Sequence, residues 1–369
     1  MSHSSTHVAG SPADSTVVHE PLRGHMTAAV LYGREDVKIE RIDIPKLGED
    51  DVLVRVHVAL TCGTDLKVWK QGFHERMIKP PALFGHELAG VVEEVGSAVN
   101  GRVRKGMRVV PSNSAPCEAC FYCRKGQPNL CEDLLFNNGA YAEYIRVPGR
   151  IVRRNMLEIP DNVSFVDAAM VEPLACVLRG IHETGIHAGD TVVVIGCGPI
   201  GLGFIRLLSV RGARVIAVGK RPNQMRAAKR LGAVATFDAT EIENPVRLVR
   251  QLSEGGRGAD AVIEAVGRAE TWQWALAMVR KGGAVQLFGG CPRGTEVKID
   301  PTALHYSEVT IRSSFHHTPR FIREALDAIV RGEVRASDFV TGEAPLAELP
   351  AVFQQMKNRN GELKTAIIP

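Results

Sequence analysis

The sequence predicts an α/β protein in which a mainly antiparallel β domain is joined to a doubly wound parallel sheet. Two stretches carry this prediction. Between Thr27 and Pro148, short β-type runs are separated by turn residues, which is typical of a small antiparallel domain with partial-barrel character. Between Thr191 and Phe288, apolar runs alternate with helical patterns, which indicates a parallel sheet covered by helices.

The composition is that of a globular protein and excludes several classes. A chain of 369 residues has room for two domains of about 150 residues each. The net charge is only +4, and no long basic run is interleaved with aromatics, so nucleic acid is not an expected partner. No apolar stretch reaches the ~18 residues of a membrane span, and the N-terminus lacks the apolar core of a secretory signal. We therefore expect a cytoplasmic protein without membrane contact.

Composition and apolar periodicity divide the chain into a tail and two domains. Residues 1–26 are rich in Ser, Thr, His, Pro and Gly without apolar periodicity, which predicts a disordered tail. The β domain is expected over residues 27–170 and the parallel sheet over residues 171–310. The closing segment, residues 311–369, is too short to fold alone, so we expect it to return to the β domain.

Four cysteines are closely spaced in the pattern Cys-x2-Cys-x2-Cys-x7-Cys, at Cys117, Cys120, Cys123 and Cys131. Four thiolates at this density can close a tetrahedron around zinc and leave no position for a substrate, which is the structural kind of site. An iron–sulfur cluster and a loop of reduced cysteines are the alternatives. We predict a structural zinc.

Three separated segments each offer one further zinc ligand. They contain Cys62, His86 and Glu172. One thiol, one imidazole and one carboxylate make a mononuclear site with an open position, which is the catalytic kind. With the four-cysteine site, this predicts two zinc ions per chain. A histidine between glycines can equally be structural, so no single segment decides the matter.

A glycine-rich turn follows the apolar run Thr191–Ile195 and leads into a helical pattern. Glycines in this context allow a tight turn and a close approach by a pyrophosphate, whose charge the helix N-terminus favours. The residues predicted to bind a dinucleotide are Gly196, Gly198, Pro199, Ile200 and Gly201.

The end of the second parallel strand indicates which dinucleotide is bound. NAD enzymes of this fold place an acid there for the ribose 2′-hydroxyl, but the position is Gly219. Lys220 and Arg221 follow, and two cations suit a 2′-phosphate. NADP is the predicted cofactor, and NAD is the alternative if the pair is an ordinary basic turn. Val266 and Phe288, near the ends of two later strands, are further candidate cofactor contacts.

These motifs together resemble the zinc-containing medium-chain dehydrogenase/reductase superfamily, in particular its sorbitol, polyol and threonine dehydrogenase-like branch. The zinc alcohol dehydrogenase signature, Gly-His-Glu-x2-Gly-x5-Gly-x2-Val, is matched from Gly85 to Val99. The resemblance covers nearly all of residues 27–369. It implies a GroES-like catalytic domain, a Rossmann domain, and assembly as a homodimer or homotetramer.

The resemblance also implies roles for residues at the catalytic zinc. The ligands would be Cys62, His86 and Glu172, with Cys176 as a rival for the third place. The remaining implied catalytic residues are Thr64, Asp65 and Glu87. Thr64 would pass the substrate proton toward solvent, Asp65 would orient His86, and Glu87 would approach the metal during ligand exchange. Thr64 or Asp65 could instead serve as an ordinary helix cap.

The implied activity is hydride transfer between a secondary alcohol, of polyol, sugar or hydroxy-amino acid type, and NAD(P). Zinc favours the bound alkoxide as a Lewis acid, and the nicotinamide accepts the hydride. Two positions depart from the pattern: Lys67 stands where many relatives have a histidine, and His316 stands where polyol dehydrogenases often have an arginine. A zinc-independent quinone or enone reductase and a non-catalytic cofactor-binding protein are the alternative functions.

Overall fold

A computed structural model describes residues 24–99, 101–358 and 361–369. The predicted tail, residues 1–26, lies outside the described residues except for its last three. For His25 and Met26 the prediction is wrong, because the first strand already begins at His25 and buries Met26. The Met26 side chain packs with Ala28 and Ala142, and a buried apolar contact of this kind outweighs the polar composition of the residues before it.

The chain up to residue 170 consists mainly of strands. Its elements are β1 (His25–Gly33), β2 (Asp36–Asp43), β3 (Val52–Leu60), α1 (Gly63–Gln71), β4 (Ala82–Leu83), β5 (Leu88–Val95), β6 (Arg108–Pro111), β7 (Ser114–Ala115), α2 (Phe121–Arg124), β8 (Leu135–Phe136), β9 (Tyr144–Val147), α3 (Gly149–Asn155), β10 (Met156–Glu158) and α4 (Phe165–Ala169).

Strands and helices then alternate to the end of the chain. These elements are α5 (Val171–Thr184), β11 (Thr191–Ile195), α6 (Pro199–Val210), β12 (Arg214–Gly219), α7 (Pro222–Arg230), β13 (Ala235–Asp238), α8 (Pro245–Leu252), β14 (Ala259–Glu264), α9 (Ala269–Met278), β15 (Val279–Leu287), α10 (Pro301–Ser307), β16 (Thr310–Ser313), α11 (Pro319–Val330), β17 (Val340–Pro345), α12 (Leu349–Asn358) and β18 (Lys364–Ile368).

The principal sheet of the β-rich part has the order β10-β6-β5-β3-β18-β17, and β9 also pairs with β3. In β3 the side chains of Val54 and Val56 are buried and that of Arg55 is exposed, as expected for alternating faces. The C-terminal strand β18 pairs with β3 through Ala366 and Leu60. This pairing brings the last residues of the chain beside the segment that follows β3.

The parallel sheet has the order β13-β12-β11-β14-β15-β16, and its central strand β11 is apolar and buried from Val192 to Ile195. The strand order reverses at β11, which is where open sheets of this kind bind their ligands. The predicted fold class is confirmed. Strand β16 crosses the predicted boundary between residues 310 and 311, so residues 311–313 belong to the parallel sheet. Otherwise the division into domains stays a prediction.

Helix α5 joins the two parts of the molecule. One hydrophobic cluster contains Leu60 of β3, Leu174 and Leu178 of α5, and Val192 of β11. Helix α5 also packs against α6 and α11. Residues carried by α5 therefore face both the β-rich part and the parallel sheet from a rigid, buried element.

Candidate metal centres and dinucleotide site

Cys62, His86 and Glu87 form a buried group of potential metal ligands. Their ligand atoms all lie within 4.8 Å of one another. Cys62 follows β3 and caps the N-terminus of α1, accepting a hydrogen bond at its Sγ from the Thr64 backbone N–H at 3.4 Å. Cys62 is thus the helix cap, and neither Thr64 nor Asp65 takes that role. A cysteine sulfur beside a buried imidazole is a donor set that zinc favours.

Asp65 holds His86 in one orientation. Its Oδ1 lies 2.9 Å from His86 Nδ1, which leaves Nε2 for a metal. Burial lowers the pKa of His86, but the charges of Asp65 and Cys62 outweigh it and hold that pKa well above its usual value. A metal ion competes with this proton, because only a neutral imidazole is a ligand.

Tyr141 completes this arrangement and was not predicted. Its hydroxyl donates to Asp65 Oδ2 at 2.7 Å, and its ring lies against Gly85. A Cβ on Gly85 would come within 2.6 Å of that ring, and the residue has φ +89°. Only glycine fits both the conformation and the space. The glycine before His86 is therefore required by the aromatic ring that supports Asp65.

Lys364 is a second residue that sequence reasoning missed. It is 3% exposed, forms an ion pair with Glu87 Oε2, and donates to the Thr61 carbonyl at 2.8 Å. The other carboxylate oxygen, Glu87 Oε1, is buried and has no partner among the described residues. The local signal was a lysine in a strand that is otherwise apolar except for Thr365.

Glu172 belongs to a neighbouring group rather than to the group of Cys62 and His86. Its carboxylate lies with the imidazoles of His316 and His317, again within 4.8 Å. The structure therefore places Glu87, not Glu172, as the third member beside Cys62 and His86. Burial raises the pKa of Glu172 to about 7. Cys176, one helical turn further along α5, has its Sγ 4.0 Å from Glu172 Oε1.

The two histidines are bound to polar residues of the β-rich part. His316 Nε2 lies 2.6 Å from Ser114 Oγ, and His317 Nε2 lies 2.8 Å from Asn113 Oδ1. Desolvation lowers the pKa of His316 to about 3, and the charges of His86 and Arg179 act in the same direction. Burial likewise lowers the pKa of His317 well below its usual value, so both imidazoles are uncharged at neutral pH.

Thr64 and Lys67 lie on the first two turns of α1. Thr64 is half-buried beside Cys62, whereas Lys67 is exposed. Thr64 is joined to Cys62 by its backbone N–H, and its role in proton transfer stays a prediction. Lys67 offers no imidazole to extend such a path.

The four cysteines of the loop lie together, with Cys131 buried and the other three partly exposed. The Sγ atoms of Cys117, Cys120, Cys123 and Cys131 are all within 4.8 Å of one another. Backbone N–H groups point at the sulfurs, for example Cys120 N to Cys117 Sγ at 3.3 Å. Backbone hydrogen bonds lower the pKa of Cys120 to about 6, while burial raises that of Cys123 to about 12. A tetrathiolate zinc site fits this donor set.

The glycine turn after β11 forms an open cradle. Gly198 precedes α6, which begins at Pro199. A Cβ on Gly201 would lie 1.7 Å from the Gly196 carbonyl oxygen, so the turn can close only on glycine. The cradle and the helix N-terminus, where Ile200 also lies, fit a pyrophosphate. The predicted residues thus surround one helix terminus.

The other predicted cofactor residues lie around this turn. Gly219 ends β12 and pairs with Asp238 of β13, whose Oδ1 accepts from the Thr240 hydroxyl at 2.6 Å. Lys220 is exposed, and Arg221 caps α7. Val266 is 39% exposed and lies above Gly196. The ring of Phe288 packs on Phe204 at 5.1 Å between centroids, so it faces the core.

Known families match both parts of the chain. Residues 48–161 match the alcohol dehydrogenase GroES-like domain, and residues 199–331 match the zinc-binding dehydrogenase family. D-xylulose reductase A of Aspergillus oryzae is 31% identical over 349 residues, which cover 92% of this chain and 95% of that protein. Sorbitol dehydrogenase of Bacillus subtilis is 28% identical over 353 residues, covering 94% and 98%.

Solved structures agree with these matches. A protein described as a zinc-binding dehydrogenase from Sinorhizobium meliloti 1021, solved with bound NADP, superposes with a TM-score of 0.85 at 32% identity. The match covers 94% of this chain and all of the other. In the described part of the chain, none of the helices has the length and apolar character needed to cross a membrane.

Proposed function

This chain belongs to the zinc-containing medium-chain dehydrogenase/reductase superfamily, and on that premise we propose how it acts as a zinc- and NADP-dependent alcohol dehydrogenase. The reaction is hydride transfer between a secondary alcohol and the nicotinamide. We propose a polyol or its ketose as the substrate class, and NADP in preference to NAD.

The observation that carries the proposal is the buried group of Cys62, His86 and Glu87. Cys62 and His86 would hold the zinc, with a carboxylate from Glu87 or from the neighbouring Glu172. Bound zinc supplies Lewis-acid stabilisation of an alkoxide. Asp65 keeps His86 Nδ1 engaged, so that the free ring nitrogen faces the metal position. Lys364 retains the Glu87 carboxylate by an ion pair.

Thr64 is the proposed proton carrier. The residue is half-buried on the first turn of α1, and its backbone N–H donates to Cys62 Sγ. A hydroxyl both donates and accepts, so it can receive the alcohol proton while giving up its own. Water is then the next acceptor, because Lys67 offers no imidazole to extend the path.

The substrate class rests on a polar wall formed by the uncharged imidazoles of His316 and His317, which lie beside the Glu172 carboxylate and are held by the buried residues Ser114 and Asn113. Uncharged imidazoles can pair with the hydroxyl groups of a polyol without attracting a charged group. The relatives named D-xylulose reductase and sorbitol dehydrogenase support the same class. We therefore expect pentitols and hexitols to be better substrates than simple alcohols.

The NADP preference rests on Lys220 and Arg221 after Gly219, and the relative solved with NADP supports it. The test is a spectrophotometric assay of NADPH and NADH formation with xylitol, sorbitol and 2,3-butanediol. We expect kcat/KM for NADP to exceed that for NAD. Lys220→Ala should lower kcat/KM for NADP by about tenfold, the value of one charged contact to a phosphate, and leave that for NAD unchanged. Lys67→Ala, which removes an exposed lysine on α1, is the matched control.

Two results would contradict these proposals. An enzyme that uses NAD as well as NADP would overturn the cofactor preference. A zinc-loaded protein that transfers hydride to neither cofactor with any polyol would overturn the proposed activity.

We also propose a cytoplasmic homodimer or homotetramer. None of the eight cysteines, all of which lie among the described residues, forms a disulfide, which suits a reducing compartment. Strand β16 lies at the edge of the parallel sheet, and Thr310, Arg312 and Ser313 on it are exposed. Unpaired backbone groups at a sheet edge favour pairing with another strand. Light scattering on the purified protein gives the assembly directly.

A further inference from the structure

The turn that carries His316 and His317 has an unusual conformation. His316 has φ +68°, a left-handed value that costs a non-glycine residue about 1 kcal/mol or more. Such a conformation persists only where the surroundings hold it. The side-chain contacts with Ser114 and Asn113 hold one side of this turn, and the backbone on the other side needs its own support.

Arg179 supplies that support from α5. It is 6% exposed, and its Nη1 donates to the carbonyl oxygens of Phe315 at 2.6 Å and His316 at 3.0 Å. A guanidinium is suited to two neighbouring acceptors because its donors lie in a rigid plane. Arg179 thereby ties together the two peptide groups next to the strained residue.

The guanidinium is itself fixed by Glu183, one turn along α5. Arg179 Nη2 lies 2.7 Å from Glu183 Oε1, and the other oxygen, Glu183 Oε2, accepts from Ser314 Oγ at 3.1 Å. The same ion pair therefore holds both ends of the turn. Glu172 lies two turns before Arg179 on the same face of α5, so one helix carries the carboxylate and the residue that places the imidazoles facing it.

Asn129 connects this arrangement to the four-cysteine loop. It lies between Cys123 and Cys131 and is 6% exposed. With its amide oxygen toward Arg179, the only orientation that gives that oxygen donors, it accepts from both terminal nitrogens at 3.0 and 3.2 Å. The loop that binds the structural metal thus contacts the residue that holds the His316 turn.

We propose that Arg179 is a positioning residue for the substrate pocket, which it serves by holding the His316–His317 turn, and that Asn129 couples this turn to the four-cysteine loop. The proposal rests on the proposed function, since it assigns the two imidazoles to the polyol. Helix α5 then carries Glu172 and also supports His316 and His317, the polar wall that recognises the hydroxyl groups of the polyol.

The test is steady-state kinetics of Arg179→Met, which removes the guanidinium and keeps most of the apolar stem. We expect KM for the polyol to rise by about tenfold or more, while KM for NADP and the two zinc ions per chain are retained. Arg320→Met is the matched control, because Arg320 lines the same 1260 Å³ cavity as Arg179 but pairs with Glu324. This control variant should leave KM for the polyol and KM for NADP unchanged. Asn129→Ala should raise KM for the polyol by a smaller factor.

Chemical rescue separates positioning from general instability. The cavity beside Arg179 has room for a small cation, so methylguanidinium added to Arg179→Ala should lower KM for the polyol toward that of the native protein. An unchanged KM in Arg179→Met would overturn the proposal. A comparable rise in KM for the polyol and for NADP, together with loss of zinc, would also overturn it, because this pattern indicates a folding defect.

A crystal structure of Arg179→Met decides the positioning claim without turnover. We expect His316 to leave the left-handed region and its contact with Ser114 to break. If the native protein oxidises no polyol, the proposed function fails, yet a displaced turn would still support the positioning role. An undisturbed turn would overturn that role whatever the activity.

Discussion

The two candidate metal centres differ in how the chain builds them. The four-cysteine loop takes its ligands from one short segment, residues 117–131, and its sulfurs are oriented by backbone N–H groups of the same loop. The buried centre takes Cys62 from the segment after β3 and the adjacent residues His86 and Glu87 from a second segment, and the supports of these residues come from other parts of the chain. Lys364 in particular comes from the last strand.

The difference shows what an open site demands. A closed tetrathiolate needs only spacing, because the metal itself completes the structure. A site that must keep a position for substrate cannot rely on a full ligand set, so the protein has to hold each ligand. Asp65 for His86 and Lys364 for Glu87 are the observed holders. Loss of a ligand should therefore affect activity at one centre and stability at the other.

The largest expected effect is on catalysis at the buried centre. His86→Ala should lower kcat by about 10³-fold or more, because Lewis-acid stabilisation is worth several kcal/mol. Zinc analysis should find one ion per chain instead of two, with the four-cysteine loop still loaded. Retained activity with one zinc would break the distinction between the two centres.

The next effect concerns the ion pair that holds Glu87. Lys364→Met leaves a buried carboxylate without its cation, which costs about 3–5 kcal/mol of unfolding free energy. The double variant Lys364→Met/Glu87→Gln removes both charges and should recover most of that loss. Chemical denaturation of the four proteins of this cycle gives the coupling between the two residues. If the losses of unfolding free energy in the two single variants simply add in the double variant, the ion pair contributes nothing to stability.

A smaller effect is expected at the loop. Cys120→Ser should release one zinc and lower the unfolding free energy by about 3 kcal/mol, the order of a bound ligand's contribution. Hydride transfer per folded molecule should fall only a few-fold, through the contact of Asn129 with Arg179. Thermal unfolding and kcat, measured on the same sample, separate the loss of stability from the loss of activity. A loss of kcat as large as that of His86→Ala would show that the loop does not act as a structural site.

Local patterns in the sequence were sufficient for several features. The four-cysteine spacing and the glycine turn at Gly196 each lie within a short segment, so their residues are close together whatever the rest of the fold. The alternation in β3 and the apolar run of β11 likewise predicted strands and their burial, because side-chain direction follows from strand periodicity. Family resemblance added His86 and Asp65 as a pair.

Other features were decided only by the tertiary structure. The grouping of Glu87, rather than Glu172, with Cys62 depends on how α5 packs against the β-rich part. The approach of Lys364 to Glu87 depends on the pairing of β18 with β3. The hydrogen bonds from Arg179 to the His316 turn depend on the packing of α5 against the segment after β16. These pairs are distant in the chain, and no local periodicity encodes a distance between elements. The sequence thus determined which chemical groups are present, and the packing of strands and helices decided which of them meet.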